Sequence, residues 1–287
     1  MQIAVISGKG GTGKSSITAA LASLSKNIVL VDCDVDASNL YLLFNPSHEE
    51  EYAFVGGEKA VIDYSKCTHC GECMNYCRFD AIVNEKGKIK IIEVFCDGCY
   101  LCSRICPEKA IAMVEEKNSK YYAGSFRNGK MVYGRLAPGE ENTGLLVNKV
   151  REKATQIAKV QQIETILLDG PPGIGCPVMS TITGVDKLLL VTEPSLSGIH
   201  DMERMLAVAK HFNIETKIII NKYDLHIELS EQIEQKAKSW DATVIAKIPY
   251  EPLFVKAMIQ QQSIVEYAPD SPSARIIASI YDTVLLH

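Results

Sequence analysis

Cysteines carry the strongest chemical signal in this sequence. The chain has ten of them, and eight lie between positions 67 and 106 in two runs of the form C-x₂-C-x₂-C-x₃-C. Three thiolates with this spacing can hold one [4Fe–4S] cubane, while the fourth ligates the cubane of the other run. The spacing therefore predicts two clusters whose ligand sets cross between the runs.

The crossing assigns each cysteine to a set. We expect a first set of Cys67, Cys70, Cys73 and Cys106, and a second set of Cys96, Cys99, Cys102 and Cys77. Zinc is the alternative, since structural zinc sites commonly use two C-x-x-C pairs. A third cysteine at the same spacing in both runs is superfluous for zinc. In a reducing compartment such clustering also favours metal chemistry over disulfides.

The two runs belong to an internal repeat. The four cysteines recur 29 residues later, and the similarity continues beyond them, because Ala81-Ile82 matches Ala110-Ile111. We interpret residues 63–117 as two copies of one small α+β unit.

A second signal is a glycine-rich loop near the N-terminus. The sequence Gly8-Lys9-Gly10-Gly11-Thr12-Gly13-Lys14-Ser15 fits G-x-x-x-x-G-K-[ST] and is followed by Ser16. Glycines allow several backbone N–H groups to converge on phosphate oxygens, and the next helix adds its positive end. We expect all nine residues to contact nucleotide, with Lys14 on the β- and γ-phosphates and the Ser15 hydroxyl on Mg²⁺.

Carboxylates follow two other apolar runs. Asp32, Asp34 and Asp36 follow the run at 28–31, and Asp169 ends the run at 165–168. Open α/β sheets bind ligands at the carboxyl ends of their strands. These carboxylates can therefore hold Mg²⁺ or orient the attacking water.

The elements that must position these residues alternate along the chain. Short apolar runs predict strands and periodic stretches predict helices, which indicates an α/β fold with a mostly parallel sheet covered on both faces. We assign 1–62 and 118–287 to this split domain, with 63–117 inserted and 46–62 as a connector. Predicted strands are 3–6, 28–31, 165–168, 187–191, 217–220 and 244–248; predicted helices are 15–24, 144–163, 198–212 and 229–239.

Composition narrows the class of protein. The chain has 287 residues and a net charge of −5, without the basic footprint of a nucleic-acid-binding protein. We see no signal peptide and no apolar run of about 20 residues, so we expect a cytoplasmic protein that does not bind membranes. The amphipathic stretch 274–286 is expected to dock on the core.

Lys9 is a second lysine inside the glycine loop, and it makes the loop resemble that of the MinD/ParA ATPases, K-G-G-x-G-K-[ST]. Nitrogenase iron protein and the Mrp-type iron–sulfur carriers share this loop. The resemblance implies ATP hydrolysis and a homodimer in which Lys9 reaches the partner's nucleotide. It also implies that Asp34 positions water and that Asp169 is the Walker B residue. Lys9, Lys14 and Asp34 are therefore the candidate catalytic residues.

The cysteine region resembles a bacterial-type 2[4Fe–4S] ferredoxin. Its second run ends Cys106-Pro107 as in that family, whereas the first ends Cys77-Arg78. The whole chain thus resembles MinD-like ATPases with an inserted ferredoxin domain.

Two further segments resemble base-contacting loops of P-loop proteins. Asn221 begins Asn221-Lys222-Tyr223-Asp224, and Pro249-Tyr250 follows another predicted strand. An amide side chain offers a donor and an acceptor to a purine edge. The relatives use ATP, but N-K-x-D also resembles the guanine reader of GTPases, which leaves GTP open.

Cys176 lies seven residues after Asp169, the offset of a cluster cysteine in nitrogenase iron protein. The second cysteine of that arrangement is missing from 138–142, so Cys176 is a candidate ligand for a labile metal, with a buried thiol as the alternative.

Three functions follow from these motifs and resemblances: ATP-driven assembly or transfer of iron–sulfur or other metal clusters, ATP-gated electron donation, and MinD-like positioning with structural or sensing clusters. The acceptor or partner protein is not identified by the sequence.

Overall fold

The computed structural model describes residues 1–140 and 142–286. The chain divides into two compact units, which we call the sheet unit (1–51, 121–134 and 144–287) and the cysteine unit (52–120 and 135–143). No helix of the described residues has the length and apolar character that spanning a bilayer requires.

The strands and helices alternate over much of the chain. The strands are β1 (Gln2–Ser7), β2 (Ile28–Asp32), β3 (Glu50–Ala53), β4 (Glu58–Ile62), β5 (Ile82–Glu85), β6 (Lys88–Ile91), β7 (Ile111–Glu115), β8 (Lys120–Phe126), β9 (Gly129–Arg135), β10 (Ile166–Pro172), β11 (Lys187–Thr192), β12 (Glu215–Asn221) and β13 (Thr243–Ile248). The helices are α1 (Lys14–Leu24), α2 (Leu40–Phe44), α3 (Glu72–Asn75), α4 (Leu101–Ile105), α5 (Thr143–Gln161), α6 (Cys176–Ile182), α7 (Leu196–His211), α8 (Ile227–Ser239), α9 (Leu253–Ile259), α10 (Ile264–Tyr267) and α11 (Pro272–Leu285).

Nine strands form one sheet in the order β13-β12-β11-β1-β10-β2-β9-β8-β3. From β13 to β9, every neighbouring pair in this order is parallel. The α/β fold with a mostly parallel sheet is thus confirmed. Because these strands are parallel, the ends of β1, β2, β10 and β12 meet at one edge, where the predicted nucleotide residues follow.

The core of the sheet unit explains why its strands read as continuous apolar runs. β2 is buried at all five positions, as expected for a strand covered on both faces. On one face, Val5 and Leu30 belong to a cluster with Leu21 of α1 and Ile277 and Ile280 of α11. The C-terminal helix is therefore docked on the core, as its amphipathic pattern predicted.

Seven strands were not placed from the sequence: β5, β6 and β7 lie inside the predicted insert, and β3, β4, β8 and β9 lie outside it. The connector assigned to 46–62 is wrong in part, because it contains β3 and β4. β3 is almost wholly exposed, and so gives no apolar run to detect. β9 pairs with β2 beginning at Gly129. A Cβ atom at this position would lie 2.1 Å from the Ile28 carbonyl oxygen, so the close pairing of the two strands here requires glycine.

The cysteine unit contains two small antiparallel sheets, β4–β7 and β5–β6, with the short helices α3 and α4. It is larger than the predicted insert, 63–117, because β4 must pair with β7 to close the first sheet. Residues 118–120 and 135–143 also belong to this unit rather than to the sheet unit.

The backbone of the cysteine unit repeats as its sequence does. Left-handed residues occur in pairs separated by the repeat length: His69 with Gly98, Gly71 with Tyr100, and Asp80 with Lys109. Few non-glycine residues adopt positive φ, so three matched pairs are a specific signature. The two halves are therefore two copies of one chain path.

Candidate functional site

The glycine loop joins β1 to α1 in a strand–loop–helix arrangement. Gly11 and Gly13 have φ angles of 79° and 88°, a region that favours glycine. At Gly13, a Cβ atom would lie 2.3 Å from Asn221 Nδ2. The loop path thus needs glycine for its dihedral angle and for its close approach to the β12 edge.

Lys14 and Asp169 form the centre of the site. The Lys14 ammonium lies 3.2 Å from Asp169 Oδ1, although both side chains are almost completely buried. Ser15 Oγ donates to Asp169 Oδ2 at 2.6 Å, and Thr18 Oγ1 donates to Asp169 Oδ1 at 2.8 Å. The structure therefore brings together the predicted phosphate lysine and the two predicted magnesium ligands.

Thr12 supplies a polar atom that the protein itself does not satisfy. Its Oγ1 is buried and has no hydrogen-bond partner within the described part of the chain. Buried polar groups normally have a partner, and this hydroxyl lies inside the glycine loop. Together with Lys14, and with the hard oxygen ligands of Ser15 and Asp169, it fits a magnesium–phosphate group.

The aspartates after β2 differ in what they contact. Asp32 is fully buried and accepts hydrogen bonds from Ser38 Oγ, Asn39 N and Leu40 N at 2.8, 3.0 and 3.2 Å. Burial, followed by the nearby Asp169 carboxylate, raises the pKa of Asp32 to about 7. Asp32 therefore holds the turn that leads into α2.

Asp34 remains the better placed of these aspartates to meet a ligand. It is half-buried, and partial burial raises the pKa of its carboxyl, which Lys14 opposes. Asp36 is exposed. The buried Cys33, between Asp32 and Asp34, has a pKa raised to about 12 by burial, which makes it a packing residue.

Lys9 belongs to a charged bridge that the sequence analysis did not identify. Its ammonium lies 2.7 Å from Glu193 Oε1 and donates to Ser195 Oγ at 3.1 Å. The other oxygen of Glu193 lies 3.1 Å from Lys222, which also donates to the Gly11 carbonyl at 2.9 Å. Partial burial favours the neutral form of Glu193, but the hydrogen bonds from Lys9 and Lys222 outweigh it and lower its pKa.

The predicted base-contacting segments lie near this bridge. Asn221 is buried, donating to the Thr12 carbonyl at 2.7 Å and accepting from Lys222 N at 3.0 Å. The Tyr250 backbone N–H, next to Pro249, donates to Asp224 Oδ1 at 2.7 Å, while the Tyr250 side chain is exposed. The loop after β12 and the loop after β13 are thus hydrogen-bonded to each other, and Asn221 is hydrogen-bonded to the glycine loop.

The eight clustered cysteines line two cavities of the cysteine unit, four to each. One cavity is bounded by Cys67, Cys70, Cys73 and Cys106. The other is bounded by Cys77, Cys96, Cys99 and Cys102. The cysteines that share a cavity are the same as those assigned to each ligand set from the spacing.

The chemistry of these cavities fits metal-bound sulfur. Burial raises the pKa of Cys73, and it raises the pKa of Cys102 to about 11, with neighbouring thiols contributing. Bound metal would stabilise the thiolates and reverse this shift. Cys106 Sγ also accepts a hydrogen bond from Ala110 N at 3.3 Å. No three Cys, His, Asp or Glu side chains of the described residues meet closely enough to hold a single ion.

Cys176 begins α6 in the sheet unit and is exposed, so the alternative of a buried thiol is wrong. It is reached from Asp169 through the Pro171-Pro172-Gly173 segment, whose Gly173 N–H donates to the Ser7 carbonyl at 3.0 Å. Of the segment 138–142, Glu141 lies outside the described residues.

Comparisons with known proteins agree with this geometry. A family model described as the CobQ/CobB/MinD/ParA nucleotide binding domain matches residues 3–264. The chain is 39% identical over 225 residues to the uncharacterized protein MJ0578 of Methanocaldococcus jannaschii, covering 77% of this chain and 78% of the relative. It is 24% identical over 289 residues to the uncharacterized ATP-binding protein MJ0547 of that organism, covering 97% and 85%.

Solved structures share the fold. The cell division ATPase MinD of Pyrococcus furiosus superposes with a TM-score of 0.60 at 18% identity, covering 99% of this chain and 98% of that one. The septum site-determining protein MinD of Pyrococcus horikoshii, complexed with Mg-ADP, gives a TM-score of 0.58 at 20% identity, covering 99% and 95%.

A shorter match is to a different kind of protein. Over 57 residues, the chain is 42% identical to the indolepyruvate oxidoreductase subunit IorA of Methanothermobacter marburgensis, covering 20% of this chain and 9% of that subunit.

Proposed function

We propose a function that starts from the family of this chain. The chain belongs to the CobQ/CobB/MinD/ParA family of nucleotide-binding domains and is a P-loop ATPase of the MinD/ParA type. We propose that it couples its ATPase cycle to the assembly or transfer of iron–sulfur or other metal clusters. The observation that carries the proposal is the sorting of eight cysteines into two cavities of four, in the same chain as a complete phosphate site. The sheet unit supplies the nucleotide cycle, and the cysteine unit supplies the metal chemistry.

The nucleotide residues have separate roles. The backbone of the glycine loop and Lys14 would bind the phosphates, while Ser15 and Asp169 would hold Mg²⁺. Asp34 is the residue we assign to orient the attacking water, since the Asp32 carboxylate is fully buried and bonded to the turn before α2. Asn221, Pro249 and Tyr250 would bound the base, which we propose to be adenine.

A nucleotide-dependent homodimer is part of the proposal. Lys9 is paired with Glu193 of its own chain, through one 2.7 Å contact on a partly exposed side chain. Such a pair is weak enough to be exchanged. We propose that Lys9 leaves Glu193 for the nucleotide of a second copy, and that this movement closes the dimer.

The cysteine unit would hold two [4Fe–4S] clusters, the first on Cys67, Cys70, Cys73 and Cys106 and the second on Cys77, Cys96, Cys99 and Cys102. Such clusters move single electrons or serve as docking sites for metal cofactors. The exposed Cys176, on the segment that follows Asp169, is the residue we propose to contact a transferred metal.

ATP-gated electron donation is the second candidate, and two observations favour it. Each cavity already has four thiols from the cysteine unit, as expected for tightly held clusters. The 57-residue match is to an oxidoreductase subunit. Electron donation would leave the clusters in place, whereas transfer would remove metal.

Anaerobic purification followed by iron and sulfide determination, absorbance and EPR tests the proposal. We expect roughly eight irons per chain, as two cubanes require. ATP is then added with either a metal-free acceptor protein or a one-electron acceptor, to see whether iron or electrons leave the chain. Light scattering follows the molecular mass of the protein, which reports on the proposed dimer. A chain without iron, or iron chemistry that nucleotide does not change, would refute the coupling.

Cys176→Ala separates the two candidates. For transfer, we expect this variant to retain the iron of the eight-cysteine sites but to lose ATP-dependent delivery to the acceptor. Ser180→Ala, on the same helix, is the matched control and should behave as wild type. Unchanged delivery by Cys176→Ala would show that this thiol has no part in transfer.

A further inference from the structure

A buried lysine contacts one of the two ligand sets. Lys59 of β4 is 8% exposed, and its ammonium donates to the carbonyl oxygen of Cys96 at 2.6 Å. It also donates to the Gly139 carbonyl at 3.0 Å and lies 3.7 Å from Glu116 Oε2. A lysine this buried is uncommon unless it is paired, and one of the partners here is the backbone of a cysteine in a predicted ligand set.

The internal repeat supplies the counterpart of this lysine in the other half. Lys59 is opposite Val114 in the β4–β7 sheet, and Lys88 is opposite Glu85 in the β5–β6 sheet. Lys88 is 29 residues after Lys59, and Val114 is 29 residues after Glu85, so the two lysines are equivalent. Lys88 is exposed, and among residues 1–140 and 142–286 it makes no hydrogen bond to Cys67, the cysteine equivalent to Cys96. The two halves thus differ by one buried ammonium, which is paired with Glu116.

A buried charge acts strongly on its surroundings because solvent and salt screen it little. The reduction potential of an iron–sulfur cluster depends on the net charge and hydrogen bonds around it. A cation held beside a ligand residue stabilises the reduced state, which carries one more negative charge. The corresponding cluster of the other half would lack this stabilisation.

We propose that Lys59 is a positioning residue that makes the two cluster sites unequal, by raising the reduction potential at the site of Cys77, Cys96, Cys99 and Cys102 above that at the other site. The inference rests on the proposed function, because it requires both clusters. An electron supplied by an external one-electron reductant would then reside at the Lys59 side of the unit.

Neighbouring carboxylates oppose this effect only in part. The nearest carboxylate is that of Glu116, which lies 3.7 Å from the Lys59 ammonium. The ammonium lies closer, at 2.6 Å, to the carbonyl oxygen of Cys96. Burial raises the pKa of Glu116, with Lys59 opposing and Glu140 and Glu93 adding to the rise. The Glu140 carboxylate accepts from the backbone N–H groups of Asn118 and Ser119 at 3.1 and 3.2 Å. Lys59 is thus the charge that directly contacts a ligand residue.

The test is an EPR-monitored redox titration of the full-length protein, purified anaerobically and charged with iron and sulfide. Wild type is expected to show two separate midpoint potentials. Lys59→Met should move one of them to more negative values and bring the two closer together. Lys59→Arg, which keeps the charge, should restore most of the separation, and Lys88→Met, the matched control, should leave both unchanged. Cys99→Ser identifies which signal belongs to the Lys59 side.

Two results would overturn the proposal. One is a Lys59→Met protein whose two midpoints match wild type, and the other is an equal shift of both midpoints. Lys59→Gln is a second uncharged variant that should reproduce the negative shift even if Lys59→Met fails to fold. Iron determination keeps the two proposals apart, since a wild-type chain without iron contradicts the cluster function itself, whereas full iron with equal potentials contradicts only the role of Lys59.

Discussion

The sheet unit and the cysteine unit prepare their sites in opposite ways. In the sheet unit, Lys14, Ser15 and Asp169 are bonded to one another and stand on a core of strands and helices that is complete without a ligand. In the cysteine unit, six buried residues form the core, and five cysteines are among the partly buried side chains packed against it. If the cysteines bind the proposed clusters, a core this small should depend on them. We therefore expect the sheet unit to fold without its ligand, whereas the cysteine unit should need bound metal in order to fold.

Removal of metal should give the largest effect. Chelation under reducing conditions is expected to unfold the cysteine unit, because its ligand thiols line its core. Hydrogen exchange should show protection lost over 58–115 but retained in β1, β10 and β11. Trp240, the only tryptophan, is the C-cap residue that follows α8 and reports on the sheet unit.

A matching experiment makes this prediction specific. The metal-free protein should still bind Mg-nucleotide, with unchanged Trp240 fluorescence. If the sheet unit lost protection together with the cysteine unit, the contrast between the two units would be mistaken. Retained protection of 58–115 without metal would contradict it equally.

Lys14→Ala should give the second largest effect. The ammonium is the charge expected to stabilise the transferred phosphoryl group, so we expect ATP turnover to fall by about 10²–10³-fold. The iron content should not change, because the cysteine unit does not include this residue. Phosphate release measures turnover, and Lys26→Ala, an exposed lysine after the same helix, is the control. Unaltered turnover would contradict the assignment of the phosphate site.

Glu266→Gln should give the smallest effect, confined to the stability of the sheet unit. Glu266 accepts from Arg127 Nε and Nη2 at 2.7 and 2.8 Å and from Ser263 N at 2.8 Å. Partial burial would raise the pKa of Glu266, but the hydrogen bonds from Arg127 and Ser263 outweigh it and lower that pKa to about 2. The variant should lower the free energy of unfolding at pH 7 by about 1–3 kcal/mol.

The pH dependence fixes the sign of this effect. A lowered pKa gives stability that is present above the ordinary value of 4.5 and is lost as the pH falls towards about 2. The difference between wild type and Glu266→Gln, measured by urea unfolding with Trp240 fluorescence, should therefore shrink from pH 7 to pH 3. Glu231→Gln, at an exposed site of α8, should show no such trend. A difference that stayed constant with pH would argue against the ionic pairing.

The fold could be predicted where strands appear in the sequence as continuous apolar runs. β1, β2, β10, β11, β12 and β13 were all found from apolar runs, which central parallel strands have because they are buried on both sides; β13, at the sheet edge, has such a run although it is less buried. β3, β8 and β9 were missed because they mix polar and apolar residues. β4 was missed because its partner β7 follows 49 residues after its end. β5, β6 and β7 lie in the predicted insert, for which no strand ranges were predicted.

The site followed a similar rule. Lys14 and the eight cysteines could be named from motif spacing, and Asp169 from its place after an apolar run and from the resemblance. Glu193 and Lys59 could not, because what distinguishes each is a contact with a residue far along the chain, Lys9 in one case and Cys96 in the other. A lone Glu or Lys has no spacing that distinguishes it from a surface charge.

The exchange of Cys77 and Cys106 between the two cavities has a consequence for how such a unit can arise or be divided. A single copy of the repeat offers three thiols to its own cavity and one to a neighbour, so an ancestral copy would have been completed only by association with another like it. With both copies in one polypeptide, the two halves stay together. For the same reason, a protein cut between the halves should keep neither centre intact unless the fragments reassemble.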